Sequence, residues 1–345
     1  MSGGADTCHK RTMKILLSNW AHKKDQVGGT ETVYGYLKQA FPESELISGE
    51  DFKEDSKDCI DWIKKMDFYY SERYRTRRES MLLIRDAEFG GFYDISHIPQ
   101  IAIFQNPYKL INERVVRTNH LWVTDLFAKN FKVKKTIATT NFMANEMKKN
   151  YGIVADHVVP NCVDTDLFKP KEKEKLREKY KIPKDQKVGI WIGMPNIIKN
   201  FQTILDLVEA RKDIFWILIS KTILSSPYRH TKIVCSLPHK LVNEFLNCAD
   251  FFILTSPVEG CNLTALEAMA CDIPCILTKT GYFWDFWDKD IGLLVNWDSF
   301  DEHLKAIDKI FEIETHPRKV LLKQKLDFNT WKNKWEEIIE EIKNG

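Results

Sequence analysis

The stretch SPVEGCNLTALEAMACDIPCI, residues 256–276, carries the clearest architectural signal in this chain. It follows DFFIL at 250–254, a short aromatic and β-branched run of the kind that forms a buried strand. Ser256, Pro257 and Gly260 are turn residues and make the next positions a loop. From Leu263 onward, Leu266, Met269 and Ala270 recur at helical spacing, and the apolar run 274–277 then opens another strand. Strand, loop, helix and strand in that order are a βαβ unit, which belongs to a parallel sheet.

The same alternation extends in both directions. In the second half, strands are expected at 187–192, 214–219, 232–235, 250–254, 274–277 and 292–295, with helices at 201–211, 239–247, 263–270 and 300–313. In the first half, strands are expected at 14–19, 81–84, 101–105 and 135–139, and helices at 30–40, 58–75, 108–129 and 142–150. Between the two series lies VVPNCVDTDLFKP (158–170), rich in turn residues, followed by a charged helix at 171–180. The expected fold class is therefore α/β, with doubly wound, Rossmann-like domains at 1–169 and 170–327. The remaining 328–345 form a helix with Trp331, Trp335, Ile338, Ile339 and Ile342 on one stripe, expected to return to the N-terminal domain. Two such sheets facing each other close a cleft at the carboxyl ends of their strands.

Composition narrows the class. At 43% hydrophobic residues the chain is no disordered segment. There are 25 basic and 23 acidic residues up to Pro170 and 26 of each after it, so neither half has the basic excess of a nucleic-acid binder. The eight cysteines include no CxxC pair and several sit in apolar runs, the pattern of reduced thiols. Near the N-terminus the apolar run is only ILL (15–17), too short for a signal-peptide core, and no stretch approaches the ~20 apolar residues of a membrane span. The expected location is cytoplasmic, soluble or peripheral to a membrane.

Glu259 and Glu267 flank the start of the helix at 263. Backbone N–H groups of Cys261, Asn262, Leu263 and Thr264 lie at its N-terminus, where unpaired donors and the helix dipole favour an anion. Two carboxylates beside an anion site suit phosphates flanked by hydroxyl-bearing rings, the shape of a nucleotide sugar. Read alone, such a Glu pair is a solvated face, Lys199 an ordinary lysine near a helix start, and Gly28 and Gly29 a turn before a helix. HExxH is absent, the nine histidines are scattered, and the acidic cluster at 50–61 reads as a solvated helix, so no metal site is expected.

In combination, these segments resemble retaining glycosyltransferases of family 4, which have the two-domain GT-B fold and a Glu, seven residues, Glu motif. VGGTETVYGYL (27–37) looks like the family's N-terminal glycine loop, PNCVDTDLFKP (160–170) like its domain-junction segment, and GMPNIIKNF (193–201) like the loop after the first strand of the second domain. EGCNLTALEAMACDIP (259–274) is similar to the motif itself. The resemblance implies a metal-independent, cofactor-free hexosyltransferase acting with retention, by same-face attack. It places the donor diphosphate on Lys199, the amides of 261–264 and Gly28 and Gly29, the ribose on Glu267 and the donor sugar on Glu259, making Glu259 and Lys199 the catalytic pair. Mannose from GDP-mannose is the first expectation and a UDP-hexose the second, with CSLPHKL (235–241) lining the base pocket. The acceptor would be a glycan, a protein-linked glycan or a lipid; a homodimer is left open, and no nucleic-acid partner is expected. An epimerase or phosphorylase on the same fold, or an inactive sugar-binding scaffold, is the alternative.

Departures from the family pattern are specific. Met194 stands where an Arg is usual beside the phosphates, Asn262 where Gly is common, and Gln105 or Asn106 where the N-terminal domain often carries a His toward the sugar. An amide can hydrogen-bond a hydroxyl but cannot shuttle a proton. His97 and His120 are nearby in sequence. Tyr69, Tyr70 and Tyr74 with Arg73, Arg75, Arg77 and Arg78 form a basic aromatic stretch, readable as an anionic acceptor or membrane contact, or as a solvated helix end.

Overall fold

The computed structural model describes residues 13–19, 29–48, 59–73, 81–87, 98–115, 133–222 and 228–344. The first half runs β1 (Lys14–Asn19), α1 (Gly29–Ala40), β2 (Glu45–Ser48), α2 (Cys59–Arg73), β3 (Met81–Asp86), β4 (Gln100–Phe104), α3 (Tyr108–Arg114), β5 (Lys135–Ala138), α4 (Asn141–Tyr151) and β6 (His157–Val158). After α5 (Lys173–Tyr180) come β7 (Lys187–Ile192), α6 (Phe201–Ala210), β8 (Ile214–Ser220), β9 (Thr231–Cys235), α7 (His239–Leu246), β10 (Phe251–Ile253), α8 (Leu263–Ala270) and β11 (Cys275–Thr278). The chain ends with α9 (Tyr282–Asp285), β12 (Gly292–Val295), α10 (Phe300–Lys309), α11 (Pro317–Lys323) and α12 (Phe328–Asn344).

The strands form two six-stranded sheets, β2-β1-β3-β4-β5-β6 and β12-β11-β10-β7-β8-β9, and every pairing is parallel. Parallel strands covered on both faces are near-continuous apolar runs, as in IFWILIS of β8 and the MLLI of β3, whose last two residues, Arg85 and Asp86, are buried as well. Strand order reverses between β1 and β3 in one sheet and between β7 and β10 in the other, so each has a crevice at that point. In β7, Gly189 is a glycine because a Cβ there would lie 2.7 Å from the Phe251 ring.

Helix boundaries follow their caps. Thr140 accepts from the Met143 amide to open α4, and Gly152, at φ 69°, closes it in the left-handed region. The expected helix at 108–129 ends at Arg114, where Val115 leaves helical geometry; residues 116–132 fall outside the described ones. Short elements without periodicity, β2, β6, α9 and α11, were not expected from the pattern. Of these, β2 is an edge strand tied to β1 by the Lys14–Glu45 ion pair at 2.6 Å.

Trp331, Trp335, Ile338 and Ile339 of α12 are buried in the core of the first sheet with Val33, Tyr34 and Leu37 of α1. The chain thus crosses between the halves twice, and the crossings pair: Val163 N–H donates to Leu326 O at 2.9 Å and Phe328 N–H to Val163 O at 3.1 Å. Among the described residues no helix is long and apolar enough to cross a membrane.

Candidate functional site

A cavity of about 440 Å³ lies at the carboxyl ends of β7, β8 and β9, beside the N-terminus of α8. The second sheet supplies Gly193, Met194 and Lys199 after β7, Ser220, Lys221 and Thr222 at the end of β8, and Ser236 and Leu237 after β9. Asn262, Leu263, Thr264 and Glu267 close one side, and Gly29 and Thr32 of α1 face them from the first sheet's half.

Lys199 ends a 3-10 turn whose geometry is fixed by short-range chemistry. The Asn196 side chain accepts from the Lys199 amide at 3.0 Å, and Asn200 takes the left-handed conformation at φ 48° that asparagine tolerates. Thr255 at the end of β10 donates to Lys199 O at 2.9 Å. The ammonium then reaches Glu259 Oε1 at 2.6 Å, with both side chains largely buried. Glu259 itself is not among the cavity-lining residues; it stands behind Lys199, its amide donating to Thr280 Oγ1 at 2.9 Å.

The loop between Glu259 and α8 is clamped by backbone contact. A Cβ on Gly260 would sit 1.9 Å from Gln105 O, and one on Gly281, at φ +54°, would sit 2.0 Å from Gly260 O. Three chain segments from both halves are stacked where side chains cannot fit. Asn161 Nδ2 donates to Cys261 O at 3.0 Å, and the Phe142 amide donates to Asp285 Oδ2 at 2.6 Å, adding two further ties across the halves. Burial pushes the Cys261 thiol up to about 12, so it stays protonated and packs as an apolar group.

Asn262 is the N-cap of α8: its Oδ1 accepts from the Ala265 amide at 2.9 Å and from Thr264 Oγ1 at 2.8 Å. Leu263 and Thr264, in the first turn of α8, line the cavity, and first-turn amides have no partner within their own helix. One turn further in, Glu267 lines the cavity with its side chain 4% exposed, and its Oε1 lies 2.5 Å from His239 Nε2. Burial lowers the His239 pKa, but the charge of Glu267 and the hydrogen bond to it outweigh that and raise it above the usual imidazole value.

The structure gathers Gly29, Lys199, Asn262, Leu263, Thr264 and Glu267 around one space. Glu259 joins through Lys199, and Cys261 through its buried place in the loop. Gln105 and Asn106 lie just past β4, outside the lining; the Gln105 amide donates to Asp86 Oδ1 at 2.6 Å, and its side chain is buried. Gly28, His97, His120 and residues 74–80 of the basic aromatic stretch are outside the described residues. Within that stretch Tyr70 is fully buried, and Arg73 lies 5.1 Å from the Tyr69 ring centre.

Met194, noted in the sequence for standing where an Arg is usual, lines the cavity without charge. Lys221, which carries no signal along the sequence, enters it just after β8 with Nζ 3.6 Å from Glu31 Oε1 on α1. His239, Lys221, Asn161 and Thr280 come together with the motif only through tertiary contact. Two Asp-x-Asp triplets, 164–166 and 288–290, are spent on turns: Asp164 Oδ1 accepts from the amides of Asp166 and Leu167, and Asp288 Oδ1 from that of Asp290. Among the described residues no group of three or more His, Cys, Asp or Glu is placed to hold a metal ion.

Residues 225–325 match the model of a family described as glycosyl transferases group 1. TuaC of Bacillus subtilis (strain 168), which carries the name of a teichuronic acid biosynthesis glycosyltransferase, is 25% identical over 185 residues, 50% of this chain and 46% of that protein. The chain's matches span less than half the length of these curated relatives. Sucrose-phosphate synthase from Thermosynechococcus elongatus superposes with a TM-score of 0.78 at 13% identity, over 95% of this chain and 99% of that one. Anabaena Alr3699/HepE in complex with UDP-glucose superposes with a TM-score of 0.74 at 15% identity, over 96% and 100%. With two parallel six-stranded sheets flanked by helices and a cavity at their strand ends, the chain has the GT-B fold of these structures.

Proposed function

We propose that this protein is a glycosyltransferase that moves a hexose from a nucleotide-sugar donor to a glycan, glycoconjugate or lipid acceptor. The observation that carries the reading is the cavity lined together by Lys199, by Leu263 and Thr264 in the first turn of α8 and by the buried Glu267. Cation and helix N-terminus take the diphosphate; a charged hydrogen bond of this kind contributes about 1.5–3 kcal/mol. Glu267 accepts from the ribose hydroxyls.

Glu259 is the carboxylate assigned to the donor sugar. Its Lys199 partner is the same cation that a diphosphate attracts, so donor binding frees Glu259 as it occupies Lys199. As the sugar's anomeric bond to phosphate breaks, negative charge grows on the diphosphate. Lys199 and the α8 amides stabilise it there without reorganising. The acceptor hydroxyl attacks from the face the phosphate leaves, and the departing oxygen takes its proton, giving retention without a protein base. No step calls for a metal or cofactor.

The proposed donor is a UDP-hexose in preference to GDP-mannose, supported by the fold neighbour that holds UDP-glucose. Calorimetry with UDP, GDP, UDP-glucose and GDP-mannose, followed by release of nucleotide from the tightest donor with and without candidate acceptors, tests this. Binding of a nucleotide sugar with acceptor-dependent release is expected. Absence of binding by all four sinks the reading, and conversion of the donor to an isomeric nucleotide sugar without acceptor and without net release of nucleotide shifts it to an epimerase.

A further inference from the structure

The two carboxylates of the proposed site are held differently, and the partner of Glu267 has no role in the reaction described above. His239 is the first residue of α7, following Pro238 at the N-cap position. It reaches to α8, with Nε2 2.5 Å from Glu267 Oε1, and its ring lies 5.1 Å from that of the fully buried Phe168. The charged groups that face it are Glu267 of α8 and Asp164 on the segment between β6 and α5. A polar group buried to this degree is costly unless it is hydrogen-bonded.

We infer that His239 is a positioning residue: by holding Oε1 of Glu267 it turns Oε2 of that carboxylate into the cavity, as the acceptor for the adjacent hydroxyls of a ribose. This deepens the reading of the site and rests on it. The hydrogen bond sets the plane of the carboxylate, and a diol needs an acceptor at a set angle as well as a charge. A free Glu267 would keep the charge and lose the angle. His239 thus acts on selectivity for a ribose, while the diphosphate is held elsewhere, on Lys199 and the α8 amides.

Titration calorimetry with UDP and with 2′,3′-dideoxyuridine diphosphate tests this on the full chain, with the corresponding guanosine pair run alongside. The wild type is expected to prefer the ribonucleotide by about tenfold or more, one charged hydrogen bond's worth of discrimination. In His239→Ala that preference should fall to within about twofold while the dideoxy nucleotide binds as before, and His239→Gln, whose amide donates to the same oxygen, should restore most of it. Glu267→Gln should lose the preference whatever stands at 239. A His239→Ala variant that weakens both nucleotides equally, or that keeps the wild-type preference, overturns the inference and leaves the site reading standing. If His239→Ala does not fold, His239→Gln and Glu267→Gln decide: a His239→Gln protein as indifferent to the ribose as Glu267→Gln overturns it. A wild type that binds neither UDP nor GDP removes the site reading and this inference together.

Discussion

The two halves share a sheet type but not a task. The second half lines the cavity with charged and polar groups: Lys199, Lys221, the first turn of α8 and Glu267, which is bonded to His239. The first half lends Gly29 and Thr32 at the start of α1 and, behind the cavity, a backbone wall at Gln105 against Gly260. Its own polar residues at the strand ends are turned inward, as in the bond from Gln105 to Asp86. A parallel sheet with a switch point is therefore a place for a site, and the loop chemistry grafted on it determines whether it binds or closes.

Separating closure from binding gives the largest expected effect. Trp335 is fully buried between α12 and the first sheet, and Trp335→Ala should cost about 3–5 kcal/mol of the first half's stability. If that half closes the site without holding the nucleotide, the variant, assayed well below its lowered Tm, should bind UDP within about threefold of wild type and lose transfer as temperature rises. Nucleotide affinity lost in parallel with the core would break the comparison.

Lys199→Ala comes next. Removing the ammonium should weaken nucleoside diphosphate binding about 10- to 100-fold, the range of one charged hydrogen bond, and lower turnover as well. Some stability should be lost too, since Glu259, 12% exposed, is left without its ammonium, while the backbone of the turn stays held by Asn196 and Thr255. Unchanged affinity and turnover in this variant would assign the diphosphate to other groups, with Lys221 the first of them.

How far these roles could be read from sequence depends on what fixed each residue. The central strands were legible because burial on both faces leaves a continuous apolar run, and α8 because its apolar residues recur at helical spacing; that Asn262 caps α8 was not legible in the sequence. Edge strands β2 and β6 were not, being too short to show a period. Lys199 and Glu267 were legible as members of an ordered motif. His239 was legible only as part of CSLPHKL, not as the partner of Glu267 28 residues away, and Lys221, which faces Glu31 on a different sheet's helix, was not legible at all. Glycines divide the same way. Gly260 lies in the motif, yet its reason, the oxygen of Gln105, is 155 positions away in the chain and exists only once both halves have docked.

The smallest expected effect distinguishes a histidine that serves Glu267 from one that only fills space. Since the folded-state pKa of His239 is raised, its protonated form is favoured by folding. Stability from this source is complete below the unfolded imidazole value of about 6.5 and fades as pH rises through the higher folded value. The difference in Tm between wild type and His239→Gln should therefore be largest near pH 6 and shrink toward pH 9, with 1 kcal/mol amounting to only about 2–4 °C in domains of roughly this size. Glu267 and Asp164, the carboxylates facing the ring, are present in both proteins, so the difference reports the imidazole. A gap that is flat with pH, or that widens as pH rises, would mean that the ring at 239 is neutral beside Glu267; the bond to Oε1 would then be an uncharged one, and the second half would hold its ribose carboxylate no more firmly than the first half holds Asp86 through Gln105.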